Sequence, residues 1–99
     1  MTDDEKNTAL LASLVMMFQS ATMQNLGKLK NPATDKVERN IEQAQLTIDI
    51  LDMILAKTKG NLSEDESKFL KGVLQELKLN YVDEKAKEPS KTEPPKEKP

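Results

Sequence analysis

The sequence predicts an all-α fold: a three-helix hairpin bundle that forms oligomers and carries a disordered C-terminal tail. Apolar residues recur at alternating steps of four and three along the middle of the chain, which is the spacing of a buried helix seam. Two capping boxes and two glycines mark where helices begin and end. We therefore expect one helical domain at residues 1–82, with helices near 3–25, 35–59 and 64–81, and a tail at 83–99.

The first helix begins with a capping box, in which Thr2 and Glu5 satisfy amides that have no partner inside the helix. It ends near Gly27, because glycine adopts the left-handed conformation of a helix terminus without steric penalty. The linker KLKNPATD follows this stop signal.

The second helix carries the clearest periodicity in the chain. It has two candidate starts, either Pro32 after an Asn31 cap or Asp35. Its seam steps by 4, 3, 4, 3 and 4 through Val37, Ile41, Ala44, Ile48, Leu51 and Leu55. Leu46, Ile50 and Met53 form a second apolar stripe beside the seam, and the remaining arc is acidic. An apolar arc this wide predicts neighbours on more than one side.

The stretch KTKGNLSEDE predicts a tight joint between the second and third helices. Lysines in a last turn favour the negative end of the helix dipole, and a glycine ends the helix. A serine and a glutamate three residues later form the second capping box. The predicted joint consists of Lys57, Lys59, Gly60, Leu62, Ser63 and Glu66, with Leu62 as a plug in the core. Such a short connection predicts that the two helices pack antiparallel.

The third helix has one apolar side and one basic side. The apolar side consists of Leu70, Leu74, Leu77 and Tyr81, with Phe69 and Val73 beside them. Lys68, Lys71 and Lys78 lie on the other side at helical spacing. Two alternatives remain open: this basic stripe pairs with the acidic arc of the second helix, or both stripes are solvated independently.

The first helix is unusual because it carries no charged residue after Lys6. No Asp, Glu, Lys or Arg occurs between Asn7 and Gly27, although 32% of the chain is charged. A surface helix normally keeps one charged face. We expect this helix to be buried partly in the core of its own domain and partly in a symmetric contact with another copy, with a dimer favoured. The predicted interface consists of Leu11, Leu14, Val15, Met16, Phe18 and Met23.

Membrane association accounts less well for the uncharged helix. A membrane span needs about 20 apolar residues, and only the nine residues LLASLVMMF are strongly apolar. A helix that lies on a membrane surface normally carries Lys or Arg on its polar face, and neither occurs between Asn7 and Gly27. A docking surface for a different, unidentified protein is a further alternative.

The composition argues against catalysis, cofactors and metals. The chain contains no Cys and no His, which are the commonest nucleophiles, bases and soft-metal ligands. Asp49 and Asp52 lie in an apolar run, but they share a solvent-side stripe with Glu42. A single arginine, Arg39, and a net charge of −2 argue against nucleic-acid binding. We therefore expect a protein that is not an enzyme.

Both ends of the chain carry further signals. Residues 83–99 contain four of the five prolines, five acidic residues and five lysines, a composition that predicts disorder. The N-terminal MTDDEK is acidic where a signal peptide is positively charged, so we expect a cytoplasmic location.

The placed elements resemble a known family of small bacterial proteins, the domain of unknown function 1844. The matching pieces are Leu26-Gly27, Pro32, Ala44, Ile48-Asp49, Leu51, the run KTKGNL at 57–62, Glu66, Leu70, Leu74, Leu77 and Tyr81-Val82. The resemblance covers roughly residues 10–82. It implies a short helical domain without an established activity, and it supplies no catalytic or binding residues.

The sequence thus predicts a non-catalytic cytoplasmic protein that acts by self-association, by binding another protein, or both. The alternative is a peripheral membrane-surface protein that uses the methionine-rich first helix. No cofactor and no nucleic acid are expected, and a membrane partner is disfavoured.

Overall fold

The computed structural model describes residues 1–87 as a bundle of three helices. Helix α1 spans Asp3–Asn25, α2 spans Ile41–Lys57 and α3 spans Glu64–Lys87. Within the described part, the β structure amounts to one isolated bridge between Asn31 and Lys36. The predicted all-α, three-helix fold class is confirmed.

The helices run up, down and up. The hydroxyls of Thr22 in α1 and Thr47 in α2 meet at 2.6 Å, and the Asn40 amide before α2 donates to the Asn25 carbonyl at the end of α1. The end of α1 therefore lies beside the start of α2, so these helices are antiparallel. Gln19 of α1 bonds to Glu76 of α3, and Thr8 bonds to Glu66 near the start of α3. Helices α1 and α3 are therefore parallel.

The core lies between all three helices. Its main cluster consists of Val15, Ile48, Leu51, Leu70, Val73, Leu74 and Leu77. A smaller cluster at the far end consists of Leu26, Ile41 and Ala44. The seam predicted along α2 is therefore buried from Ile41 to Leu51 and partly buried at Leu55, and the apolar stripe of α3 is buried from Leu70 to Leu77.

Helix α1 has the bounds that the sequence predicts. Glu5 Oε1 accepts from the Thr2 amide at 2.8 Å, and the Glu5 amide donates to the Thr2 hydroxyl at 3.1 Å. At the other end Gly27 has φ +82°, and the Lys28 amide donates to the Met23 carbonyl at 2.9 Å. This six-to-one bond is the Schellman motif, which satisfies carbonyls at a helix C-terminus.

The predicted start of α2 near residue 35 is wrong by about one and a half turns. Residues 28–40 form a loop in which the Asn31 side chain accepts from the Ala33 amide at 2.9 Å and Asp35 has φ +57°. The helix begins only after Asn40, whose side chain accepts from the Gln43 amide at 3.0 Å. Val37 fits the seam in sequence, but it lies in the loop and is 58% exposed.

The predicted end of α3 at residue 81 is also wrong, since the helix continues to Lys87. Residues 83–87 extend the helix, where Glu84 is buried against the 28–40 loop and its carboxylate lies within 3.4 Å of three cationic side chains. The prediction of a disordered tail therefore fails for residues 83–87. For residues 88–99 it lies outside the described residues.

Candidate functional site

The predicted joint forms a structural connection between α2 and α3. Glu66 Oε1 accepts from the Ser63 amide at 2.8 Å, and the Glu66 amide donates to the Ser63 hydroxyl at 3.1 Å, which completes the second capping box. Gly60 has φ +91°, and Leu62 packs against the main core cluster. Lys57 is the last residue of α2, whereas Lys59 lies beyond its end and is exposed. Glu66 also accepts a hydrogen bond from Thr8, which ties the joint to α1.

A group of charged side chains closes the opposite end of the bundle. Glu84, which is only 8% exposed, lies 3.1 Å from the Lys28 ammonium, 3.0 Å from the Lys87 ammonium and 3.4 Å from Arg39 Nε. The hydrogen bond from Lys87, supported by Lys28, lowers the pKa of Glu84 to about 2. Arg39 also donates to the Glu84 carbonyl at 2.7 Å. The group binds the 28–40 loop to α3 through residues that are far apart in the sequence.

The Thr22–Thr47 contact is the buried polar link between α1 and α2. Thr22 is fully buried and Thr47 is 5% exposed. The Thr22 hydroxyl lies 2.7 Å from the Phe18 carbonyl, and the Thr47 hydroxyl lies 2.9 Å from the Ala44 carbonyl. Because each hydroxyl carries one proton, one threonine donates to the carbonyl of its own helix while the other donates across the interface. Each hydroxyl thus has a partner, and the contact joins the two helices.

The six residues predicted as an interface on α1 divide into two groups. Val15 is fully buried in the core of its own chain, and Leu11, Phe18 and Met23 pack partly buried against that core. Leu14 and Met16 are 39% and 56% exposed. Val15 is thus enclosed by its own chain, whereas Leu11, Phe18 and Met23 leave only part of their surface for another molecule. Two exposed residues that the predicted set lacks, Leu10 at 56% and Met17 at 68%, lie on the same helical stripe as Leu14.

Helix α2 has an exposed apolar stripe of its own. Leu46 is 49% exposed, Met53 is 48% exposed, and Ile50 between them is partly exposed. Glu42 lies one turn before this stripe and Lys57 one turn after it. Neither Glu42 nor Lys57 has an ion-pair partner among residues 1–87.

The two exposed stripes lie on the same side of the bundle. On α1, Thr8 and Gln19 bond to α3, and the stripe of Leu10 and Met17 lies on the opposite flank. On α2, Asp52 pairs with Lys78 of α3 at 3.0 Å, and the exposed stripe again lies on the other flank. Together the stripes form what we call the α1–α2 face, which consists of Leu10, Leu14, Met17, Ala21, Leu46, Ile50 and Met53.

Among residues 1–87, the side chains that line the grooves between α2 and α3 do not form a recognisable catalytic or ligand-binding arrangement. A cavity of about 390 Å³ has a mixed lining of apolar and polar side chains, which consists of Asp52, Leu55, Lys71, Leu74, Gln75, Lys78, Leu79 and Val82. The Lys78–Asp52 pair shows that the basic stripe of α3 meets the acidic arc of α2 at one point. Asp49 is exposed and accepts from the Gln45 side chain at 2.8 Å.

Membrane-crossing and metal-binding features are both absent from residues 1–87. None of the described helices is long and apolar enough to cross a membrane. In the same residues, no three or more carboxylates converge in a way that would hold a metal ion.

Comparison with known proteins gives a family and no activity. Searches of curated proteins and of solved structures returned no significant match. A family model described as "Domain of unknown function (DUF1844)" matches residues 8–84, which include nearly all of the three helices. The chain therefore belongs to the DUF1844 family, a family defined by its sequence and not by an assigned function.

Proposed function

We propose that this protein is not an enzyme and that it acts by self-association through the α1–α2 face. The observation that carries the proposal is that this face is apolar, exposed, and contributed by two neighbouring helices. Exposed apolar residues scattered singly need no explanation, whereas a contiguous patch marks an interaction site.

The size of the face supports a protein partner. With the side chains exposed to this extent, the face leaves about 500 Å² of apolar surface open, near the upper end of the largest patches on ordinary monomers. A standard interface buries about 800 Å² on each partner, so this face with a polar rim has the required size. Because α1 has no charged residue after Lys6, it also avoids the desolvation cost that charged side chains would add at an interface centre.

The length of the chain supports a second copy as the partner. The described residues 1–87 provide only a thin core, and bundles of this size often gain stability from association. In a two-fold dimer the same face of each copy packs on the other, so a single apolar patch per chain is enough to cover the patch on both copies.

Light scattering coupled to size-exclusion chromatography tests the proposal. The wild-type chain should elute with twice the 11.1 kDa chain mass at micromolar concentration. Met17→Lys and Leu46→Lys should each weaken the dimer by at least roughly 30-fold, because each places a lysine at the interface centre twice. Both side chains are about half exposed or more in the single chain, so the helical content by circular dichroism should be unchanged.

Leu79→Lys is the matched control. Leu79 is 66% exposed on α3, outside the α1–α2 face, and its substitution should leave the dimer intact. A wild-type chain that remains monomeric up to about 100 μM, an order-of-magnitude affinity limit for a specific complex, contradicts the proposal. Sedimentation with anionic lipid vesicles, lost in Met17→Lys, would instead favour a membrane-surface role for the same face.

A further inference from the structure

The α1–α2 face has a charge pattern that specifies how two copies would meet. Along α2 the order on one stripe is Glu42, Leu46, Ile50, Met53 and Lys57. The stripe is nearly symmetric about Ile50, because an apolar residue lies one turn away on each side and a charge lies two turns away on each side. The two charges have opposite signs.

From this pattern we infer that the second copy lies antiparallel on the face, with a two-fold axis that crosses α2 beside Ile50. Leu46 then packs on Met53 of the other copy, and Glu42 lies opposite Lys57 of the other copy. The inference rests on the proposed self-association and adds the identity of the paired residues. A two-fold operation forms each of these contacts twice, which gives two identical ion pairs at the ends of the α2 seam.

The positions of α1 agree with the same axis. Thr22 of α1 lies level with Thr47 of α2, and the two helices are antiparallel. Gln19, three residues before Thr22, therefore lies level with Ile50, three residues after Thr47. An axis at this level brings Met17 of one copy over Ala21 of the other. It also brings Leu10 towards Leu29, which follows α1 and is 46% exposed.

The unpaired state of the two charges in the single chain supports this arrangement. Glu42 and Lys57 are both exposed and have no ion-pair partner among the described residues. A parallel arrangement, in which α1 of one copy lies on α2 of the other, would place Lys57 near Ala12, in the part of α1 that carries no charge. The antiparallel arrangement gives both charges a partner of opposite sign at the rim of the interface, where such pairs set the register.

Charge reversal tests the pairing in solution. At low ionic strength Glu42→Lys and Lys57→Glu should each raise the dimer dissociation constant about tenfold, because each replaces two attractions by two repulsions. The double reversal Glu42→Lys/Lys57→Glu should restore the constant to within about threefold of wild type. A double variant whose loss of dimerisation free energy equals the sum of the losses in the two single variants would overturn the inferred pairing.

Cysteine cross-linking tests the position of the axis, since the chain contains no cysteine of its own. Ile50→Cys alone should form a disulfide-linked dimer under mild oxidation at least roughly tenfold faster than Leu79→Cys, because only residues close to the axis face their own copy at bonding distance. Leu46→Cys and Met53→Cys should each remain near the Leu79→Cys rate when oxidised alone. The two should cross-link to each other when they are refolded together.

The outcomes separate this inference from the proposed function. A dimer by light scattering in which Ile50→Cys reacts at the Leu79→Cys rate would overturn the antiparallel arrangement and leave self-association standing. A monomer by light scattering, with all cysteine variants at the Leu79→Cys rate, would overturn both.

Discussion

Glu84 shows how one residue can hold a loop against a helix. Its carboxylate is buried and accepts from Lys28, Lys87 and Arg39, so the loop before α2 and the end of α3 share one anion. Two of these three partners, Arg39 and Lys28, lie 45 or more residues before Glu84 in the sequence. Sequence spacing therefore gave no signal for them, and the run DEKAK has the composition of a solvated tail.

Replacing Glu84 by Gln should lower the free energy of unfolding by about 1–3 kcal/mol at pH 7, because charge-assisted hydrogen bonds are lost. The folded-state pKa of Glu84 lies near 2, below its usual 4.5. The carboxylate therefore stabilises the fold fully above the unfolded-state pKa, and this contribution is lost as the pH falls from 4.5 towards 2. Urea denaturation should show that the difference in free energy of unfolding between wild type and Glu84→Gln is smaller at pH 3 than at pH 7.

Glu42→Gln is the control for Glu84→Gln, because Glu42 is exposed. It is made in the Met17→Lys variant, in which the proposed dimer is weakened, so that the loss of a contact between copies does not affect the comparison. It should change the free energy of unfolding by no more than about 0.5 kcal/mol. A Glu84→Gln effect that is equally small, or that grows towards pH 3, would show that the cations do not stabilise the folded carboxylate.

The Thr22–Thr47 pair is expected to couple α1 to α2 through its two hydroxyls. Thr22→Val or Thr47→Val alone should cost about 1–2 kcal/mol, since each leaves a buried hydroxyl with one partner fewer. The double Val variant should cost less than the sum, with a coupling of about 0.5–2 kcal/mol measured by urea denaturation. Strictly additive effects would mean that the 2.6 Å contact contributes nothing.

At the scale of the element, local signals in the sequence predicted α1 and the joint because their caps are made by residues three positions apart. The start of α2 was harder to place. Asn40 followed by Gln43 is itself a capping signal, but Asp35 and Val37 offered an equally regular alternative. The tertiary contacts of Arg39 with Glu84 keep residues 28–40 out of the helix, and no local pattern encodes those contacts.

The same limit applies to the candidate site. The sequence identifies α1 as unusual because it has no charged residue after Lys6, but sequence alone does not show which residues of α1 its own bundle buries. That choice depends on the rotation of α1, which the Thr22–Thr47 contact and the Gln19–Glu76 bond define. The α2 half of the face was visible only as a second apolar stripe, since its exposure depends on where α3 packs.

The glycines provide a matched test of backbone conformation in the helical elements. Gly72 lies inside α3, and a Cβ added there would meet no atom within 4 Å. Gly72→Ala should therefore stabilise the protein by about 0.5–1 kcal/mol through helix propensity. A Cβ added at Gly60 also meets no atom within 4 Å, but φ is +91° there, so Gly60→Ala should cost about 1–2 kcal/mol.

Urea denaturation of the two glycine variants separates helix propensity from local strain. Both sites have open space, so a difference in sign between the variants can arise only from the backbone conformation. A destabilising Gly72→Ala would indicate that another molecule packs closely on this face of α3.

At the scale of the whole molecule, the bundle divides its surface between two tasks. Helix α3 and the 28–40 loop carry the ion pairs that close the fold, with Lys28, Arg39 and Glu84 at one end. Helices α1 and α2 carry the face that the single chain leaves uncovered. If a second copy covers that face, part of the stability of the fold belongs to the dimer and depends on protein concentration.

The thermal midpoint should therefore rise with protein concentration. Because unfolding of a dimer releases two chains, mass action should raise the midpoint by several degrees when the concentration increases from about 2 to 200 μM. The variant Met17→Lys should show a lower midpoint that depends less on concentration than that of wild type, whereas Leu79→Lys should behave as wild type. Differential scanning calorimetry of the three proteins measures this directly. A wild-type midpoint that is independent of concentration would show that the α1–α2 face adds nothing to stability by association, and the stability of the bundle would then come from its own core alone.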